Sequence, residues 1–359
     1  MKVGVVYEDF LGSGGYPRDI RWLSTFMAKN RIHVTVFTHI NNKKSVLTEL
    51  ENGVEVVPFR ELSSRKLDII HIFGMFLPKQ LLILVKVINK PLVISPMGHL
   101  MPFHLQRKAI KKAIYLRITS YLFKKVNWYH VFSPVEADSV YKYMGKYVNT
   151  FEAGLGVFPL PPDVEVKYLN NYKNEPLNIL FFGRNDIYQK GIDILMKGFT
   201  KALRLGANAT LTISGKPWGN SKKYLSGFIN KENISDKVKI LGPIEENAKW
   251  QLISNADYLI FLSRWDGPPR PIREAIAVGT PVIVSPETNM GHLVSKYKAG
   301  IEVPLNVEKV AQTITTLSKD RSIITEHRAG VIKLRERLDW FRVAEDYIRG
   351  YEQVLKSWK

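Results

Sequence analysis

The sequence predicts an α/β protein made of two doubly wound domains with parallel sheets. Short apolar runs, among them Lys2–Tyr7, His33–Phe37, Leu177–Phe182 and Tyr258–Leu262, alternate with amphipathic stretches along the whole chain. Strands that read apolar on both faces and are separated by helices belong to a parallel sheet. The clearest single unit is strand–loop–helix–strand, Tyr258–Leu262, a Gly- and Pro-rich loop, IREAIAV, Gly279 and Pro281–Val284. A length of 359 residues suits two domains. Pro159, Pro161 and Pro162, followed by the polar YLNNYKNEP, supply the linker between them. The expected domains are 1–165 with a C-terminal helix, 340–359, and 172–339.

Composition narrows the function classes. Apolar residues make up 45% of the chain, which is ordinary for a globular protein with a large core. The absence of cysteine excludes disulfides and thiolate metal sites. With 52 Lys+Arg against 33 Asp+Glu, the net charge of +19 favours an anionic partner. No compact nucleic-acid motif accompanies that charge, so nucleic acid is not the expected partner. No apolar run reaches the ~18 residues of a membrane span. The N-terminal MKVGVVYEDF reads as a strand and not a signal peptide. A cytoplasmic protein, peripheral at the inner face of the membrane, is expected.

Taken in order, Lys2–Tyr7 is the first strand. The loop DFLGSGGYPRD and an amphipathic helix, Asp19–Lys29, follow it. A glycine-rich loop between a strand and a helix can approach a phosphate, although Gly12, Gly14 and Gly15 do not spell the dinucleotide fingerprint, and a flexible turn reads equally well. His33–Phe37, Leu67–Phe73 and Leu92–Ser95 are further strands, the last leading into SPMGHL with His99. Next comes His104–Val126, where Ile110, Ile114, Ile118 and Leu122 recur every four residues and mark a helix with one apolar stripe. Arg107, Lys108, Lys111, Lys112, Lys124 and Lys125 cluster at its ends, so it can lie on an anionic membrane or hold an anionic acceptor. A solvated basic face on a core-packed helix is the plainer alternative. Trp128–Phe132 is a strand, and Ser133 with Glu136 spells a capping box.

In the second half, Leu177–Phe182 ends in Gly183-Arg184, and Lys190-Gly191 opens a helix. Two cations and a helix N-terminus then converge where a diphosphate could sit, although surface charges flanking a loop are the plainer alternative. Thr210–Ser214 and Val238–Leu241 are strands, and Glu245–Ala256 is a helix. In the unit described first, Pro271 suits a first helical turn. Glu274 is expected in that turn, on the open side of the sheet, where a carboxylate can accept both hydroxyls of a ribose. Asp266 lies eight positions earlier. Spacing alone leaves open that Glu274 only complements the helix dipole and that Asp266-Gly267 is an ordinary turn. The last segment, Asp339–Trp358, carries Trp340, Phe341, Ala344, Tyr347 and Tyr351 at helical spacing.

The segment DGPPRPIREAIAVGTPVIVS resembles the EGFGLPxxEAMAxGxPVIxS motif of GT-B glycosyltransferases of family 4, with Asp266, Gly267, Pro271, Glu274, Ala275, Gly279, Pro281, Val282, Ile283 and Ser285 in matching places. It departs at Pro268 and Pro269, where the family has Phe-Gly and where each proline removes an amide from a loop expected to contact the donor. Gly183-Arg184 and Lys190-Gly191 are similar to the family's GRxxxxKG element. Met97 stands where the family often has a histidine before Gly98, and the Gly-Gly-x-x-Glu after the second motif is poorly matched by PETNMGHLV, which follows Ser285.

The resemblance covers nearly the whole chain. It implies the GT-B fold: two Rossmann-like domains facing a cleft, with the last helix crossing back to the first domain. It also implies retaining transfer of a hexose-type sugar from a nucleotide diphosphate sugar to a glycan or lipid-linked acceptor, in surface polysaccharide or glycolipid synthesis. Asp266 and His99 become the catalytic candidates. Gly14, Gly15, Arg184 and Lys190 become the donor and diphosphate ligands and Glu274 the ribose ligand, while Arg270, which stands where the family has an apolar residue, is expected to replace the lost amides as a donor ligand. Arg107, Lys108, Lys111 and Lys112 form the membrane or acceptor surface. No cofactor or metal is expected, the sugar nucleotide being a co-substrate. A noncatalytic sugar-nucleotide-binding relative and a sugar-nucleotide epimerase of similar fold are the alternatives.

Overall fold

The computed structural model describes residues 1–39, 53–76, 78–106, 108–161, 164 and 176–358. It divides into two compact units, residues 1–156 with 338–359, and residues 157–337. The linker residues 162, 163 and 165–175, on which the expected boundary falls, lie outside the described residues, as does Arg107.

The first unit alternates strands and helices: β1 (Lys2–Val6), α1 (Gly15–Lys29), β2 (His33–Thr38), β3 (Val54–Pro58), β4 (Ile69–Phe73), α2 (Pro78–Val87), β5 (Leu92–Ser95), α3 (Pro102–Gln106), α4 (Ala109–Lys124), β6 (Trp128–Val131), α5 (Pro134–Met144) and β7 (Asn149–Glu152). Its seven strands are parallel, in the order β3-β2-β1-β4-β5-β6-β7. The winding reverses between β1 and β4, the kind of point beside which such sheets bind ligands. Ile20, Leu23 and Met27 of α1 pack on one face. The opposite face is covered by Ile83, Leu84 and Val87 of α2, Phe123 of α4, and Val140 and Met144 of α5.

The second unit runs β8 (Leu177–Phe182), α6 (Ile192–Arg204), β9 (Ala209–Ser214), α7 (Ser221–Glu232), β10 (Val238–Leu241), α8 (Glu246–Ser254), β11 (Tyr258–Phe261), α9 (Arg270–Val278), β12 (Val282–Val284), α10 (Gly291–Tyr297), β13 (Gly300–Glu302), α11 (Val307–Lys319) and α12 (Ser322–Arg337). Six parallel strands follow the order β10-β9-β8-β11-β12-β13. The chain closes with α13 (Trp340–Trp358). This helix joins the first unit, laying Trp340, Val343, Tyr347, Tyr351 and Val354 beside α1, with the Trp340 ring 6.1 Å from Trp22.

Four elements depart from the sequence reading. β3, β7 and β13 were not expected; each is short and sits at the edge of its sheet, where the apolar signal is weakest. The helix expected over 104–126 is two helices, broken where Lys108 takes a left-handed φ of 58°. The isoleucines of the expected apolar stripe point outward: Ile110, Ile114 and Ile118 are 78%, 54% and 72% exposed. α4 instead turns Thr119 and Phe123 inward, and the Thr119 hydroxyl is satisfied by the carbonyl of Tyr115 at 2.7 Å.

Candidate functional site

The loops after β8 and β11, which leave the carboxyl ends of neighbouring strands, are tied together in the second unit. The first is able to form because of two glycines. Gly191 has φ 62°, and a Cβ there would lie 1.9 Å from the carbonyl oxygen of Leu262. Gly215 has φ 145°, and a Cβ there would lie 1.7 Å from the carbonyl oxygen of Gly183. Both are left-handed positions with backbone in contact, which only glycine tolerates. The loop after β8 can therefore press against its neighbours on both sides.

Gln189 stitches the two loops. Its carbonyl accepts from the Arg264 amide at 2.8 Å and the Ser263 hydroxyl at 3.1 Å, and its side-chain amide donates to the Trp265 carbonyl at 3.4 Å. Arg264 adds a two-pronged bond to Asp193, at 2.8 and 2.7 Å. On this frame Lys190 forms an ion pair with Asp266, whose Oδ2 also accepts from Ser263 at 2.8 Å. Arg184 donates to Gln189 Oε1 at 2.6 Å, stands 3.7 Å from Asp186, and lies over the Trp218 ring at 4.4 Å. Its side chain stays 40% exposed. The Asp266 backbone is fixed as well, its amide to Glu287 and its carbonyl to Asn289.

Glu274 is placed otherwise than the sequence reading had it. α9 starts at Arg270, with Pro269 as its cap, so its first turn holds no acidic residue and Glu274 sits one turn further in. The side chain is only 2% exposed rather than on an open edge. Its Oε1 accepts from Lys249 of α8 and from Arg270, each at 2.9 Å, and Lys249 and Arg270 also face Glu246 at 2.6 and 3.6 Å. The partners of Glu274 are thus Lys249 and Arg270; Arg184 and Lys190 make their contacts on the other loop. Arg270 in addition lies 4.9 Å from the Phe158 ring.

In the first unit, Gly14 caps α1 and Gly15 opens it, with no acidic residue in its first turn. The loop before them is held by Arg21, which donates to the carbonyls of Phe10 and Gly12. The turn after β5 carries Met97 and Gly98 at φ 58° and 77°. Glu136 fastens this turn. Ser133 Oγ accepts from the Glu136 amide at 3.2 Å, and the Glu136 carboxylate reaches Gly98 N at 2.5 Å and Phe132 N at 2.8 Å. Burial pushes that carboxyl up to about 7 against the pull of the two amides. His99 accepts from the Met75 amide on Nδ1 at 3.1 Å and stacks on His104. Burial, with His104 and Lys112 nearby, pushes it down to about 3. It is therefore a neutral imidazole with its proton on Nε2, able to donate a hydrogen bond.

The basic surface is partly regrouped. Lys108 and Lys111 are exposed, but Lys112 turns in to the carbonyl and ring of His104. Several residues of these sites escaped the sequence reading. Lys249 and Gln189 carry no motif signal and matter only through the packing of distant segments. Asn289 had one: it holds φ 58°, and asparagine is the residue next best suited after glycine to that conformation.

Residues 168–337 match the family model described as glycosyl transferases group 1. An uncharacterized glycosyltransferase of Methanocaldococcus jannaschii is 28% identical over 183 residues, 50% of this chain and 45% of that protein. The match thus spans under half of that relative's length. The GDP-mannose:cellobiosyl-diphosphopolyprenol alpha-mannosyltransferase of Xanthomonas oryzae pv. oryzae is 25% identical over 306 residues, 81% of this chain and 75% of that protein. Among solved structures, Anabaena HepE in complex with UDP and glucose superimposes with a TM-score of 0.69 at 17% identity, covering 98% of this chain and 100% of that one.

Proposed function

With a glycosyl transferases group 1 domain over residues 168–337 and two parallel-sheet domains of the GT-B kind as the premise, we propose that the protein is a retaining glycosyltransferase. It moves a hexose-type sugar from a nucleotide diphosphate sugar to a glycan or lipid-linked acceptor. The observation that carries the reading is the Lys190–Asp266 pair with Arg184 beside it: both cations of the segment 183–191, on a loop sewn to the one that bears the first acid of the second motif.

The reaction needs stabilisation of a nucleoside diphosphate that gains charge as it leaves. Fixed cations at the strand ends supply this without reorganisation. Lys190 keeps one N–H on Asp266 and has others for a phosphate oxygen, while Arg184 offers the exposed side of its guanidinium. Asp266 steadies the positive charge that grows at the anomeric carbon. Glu274 holds the ribose through Oε2, its Oε1 being taken by Lys249 and Arg270. His99 can act as a hydrogen-bond donor to a sugar hydroxyl but not as a base, because Nδ1 is occupied and the ring is held neutral.

A polyprenyl-linked or similar anionic acceptor at an anionic membrane surface completes the reading. No described helix is long and apolar enough to cross a membrane. α4 instead presents Ile110, Ile114, Ile118 and Tyr121 outward, among exposed Lys108, Lys111, Arg117, Lys124 and Lys125 and without one acidic residue. The neighbouring α2 adds exposed Leu82 and Val85. An apolar ridge edged by cations is the arrangement that settles into an anionic bilayer surface.

The test is a panel of UDP-, GDP- and ADP-hexoses, offered with water and with a polyprenyl diphosphate glycan as acceptors. Transfer from one donor with the anomeric configuration kept is expected. Binding without turnover would leave the noncatalytic sugar-nucleotide-binding relative, and absence of both across the panel would remove that reading together with the enzyme.

A further inference from the structure

Lys249 is the least expected charge in the second unit. It lies on α8, 25 residues from Glu274 in the chain, and its side chain is 5% exposed. Burying an ammonium is costly unless it is paired on site. Here Nζ lies 2.9 Å from Glu274 Oε1 and 2.6 Å from Glu246 Oε1, and 4.3 Å from the centre of the Trp250 ring. Glu246 is 63% exposed and could do without a partner; Glu274, at 2%, could not. The packing of α8 against α9 therefore brings a cation to one chosen oxygen of Glu274. Arg270 reaches the same oxygen along the helix. With two donors on Oε1, the carboxylate plane is fixed and Oε2 is the oxygen left to a ligand.

We propose that Lys249 is a positioning residue for sugar-nucleotide recognition: it holds Glu274 so that Oε2 meets the ribose hydroxyls, and it thereby sets the preference for ribose over 2′-deoxyribose. This rests on the ribose role given to Glu274 above. Arg270 alone does not fix the plane, because it is 29% exposed and shared with Glu246, whereas Lys249 closes the pair from the buried side. A site built to bond a hydroxyl rejects the analogue that lacks it, since its polar atom is then left unpaired.

The experiment measures dissociation constants for UDP, GDP and ADP, and for the 2′-deoxy counterpart of whichever binds best, on the full chain. The wild type is expected to prefer the ribonucleotide roughly tenfold to a hundredfold, the worth of a hydrogen bond to a charged group. Lys249→Met, which keeps the bulk without the charge, is expected to bring that ratio to within about threefold of one, as Glu274→Ala does. Lys249→Arg, which restores a cation at Oε1, is expected to recover most of it. Should Lys249→Met fail to fold by near-ultraviolet circular dichroism, Lys249→Gln keeps a donor without the charge and is expected to lower the ratio at least threefold. A wild type that does not discriminate overturns the ribose role of Glu274 and the positioning role with it. A wild type that discriminates, beside a folded Lys249→Met or Lys249→Gln with an unchanged ratio, overturns the role of Lys249 alone. A merely structural lysine would weaken both nucleotides equally and leave the ratio where it was.

Discussion

At the scale of single residues, the site is a set of charges whose partners assign them different duties. Lys190 is 11% exposed and held by Asp266, whereas Arg184 is 40% exposed and held on one edge by Gln189 and on one face by Trp218. The better buried cation meets less competition from water and should contribute more to a bound phosphate. Lys190→Ala is thus expected to weaken nucleoside diphosphate binding about a hundredfold and Arg184→Ala about tenfold, the range for charge-assisted bonds. Isothermal titration with UDP, GDP and ADP checks both. Equal, negligible losses would take the segment 183–191 out of the mechanism. Lys190→Ala also leaves Asp266 with Ser263 as its remaining side-chain partner, so circular dichroism should accompany the titration.

At the scale of elements, α4 shows how a helix can keep its period and reverse its meaning. Periodicity says that one face is apolar; it does not say what that face meets. The helix already covers the sheet with Phe123 and the half-buried Tyr115, Leu116 and Leu122, so the isoleucine ridge is a second apolar face. Cosedimentation with vesicles containing phosphatidylglycerol should separate its two contributions. Lys111→Glu with Lys124→Glu removes charge attraction worth about 1 kcal/mol per lysine and is expected to abolish the preference for anionic lipid. Ile114→Ser with Ile118→Ser removes the apolar contact and is expected to lower binding at least tenfold even at low salt. Binding that ignores both pairs of changes would leave the ridge without a bilayer to meet. Glu136 is the second lesson at this scale: the SxxE spacing announces a cap, but its carboxylate spans two loops and holds the turn that carries His99.

At the scale of the whole molecule, the first unit is held together by a buried polar chain. The Tyr351 hydroxyl of α13 meets His71 Nδ1 at 2.8 Å, His71 Nε2 meets Ser95 at 2.5 Å, Ser95 meets His130 Nδ1 at 2.6 Å, and His130 Nε2 meets the Ala153 carbonyl at 2.9 Å. The carbonyl can only accept, which fixes every proton: each imidazole is neutral with its hydrogen on Nε2, and both hydroxyls donate. Burial pushes His71 well below its ordinary value and His130 down to about 3, with His99 at about 3 as well. A histidine near 6.5 in the unfolded chain then takes up a proton on unfolding, so stability is present above that pH and is lost as pH falls toward 3. Glu136 works the other way, since a folded value of about 7 adds stability as pH falls to about 4.5. Three histidines outweigh one carboxyl, and below 4.5 nothing from Glu136 offsets them. The melting temperature is expected to fall below pH 6.5 and most steeply below 4.5, as differential scanning calorimetry would show. His130→Asn should flatten that slope while lowering stability near neutral pH. A flat profile between pH 6.5 and 4 would contradict the neutral chain.

The sequence by itself determined what depends on local pattern. Central strands such as Leu177–Phe182 and Val282–Val284, the last helix and the two motif loops were legible because apolar runs, glycines with forced conformations and the spacing of Arg184, Lys190, Asp266 and Glu274 are written in adjacent residues. The edge strands β3, β7 and β13 were not, whereas the edge strand β10 was. What only the tertiary structure decided is which charge meets which: Lys190 with Asp266, Lys249 with Glu274, Glu136 with Gly98, and an isoleucine ridge with solvent. The reason is physical. Periodicity constrains a residue's direction within its own element, whereas pairing depends on how elements remote in the chain are brought side by side, and no spacing along one segment carries that information.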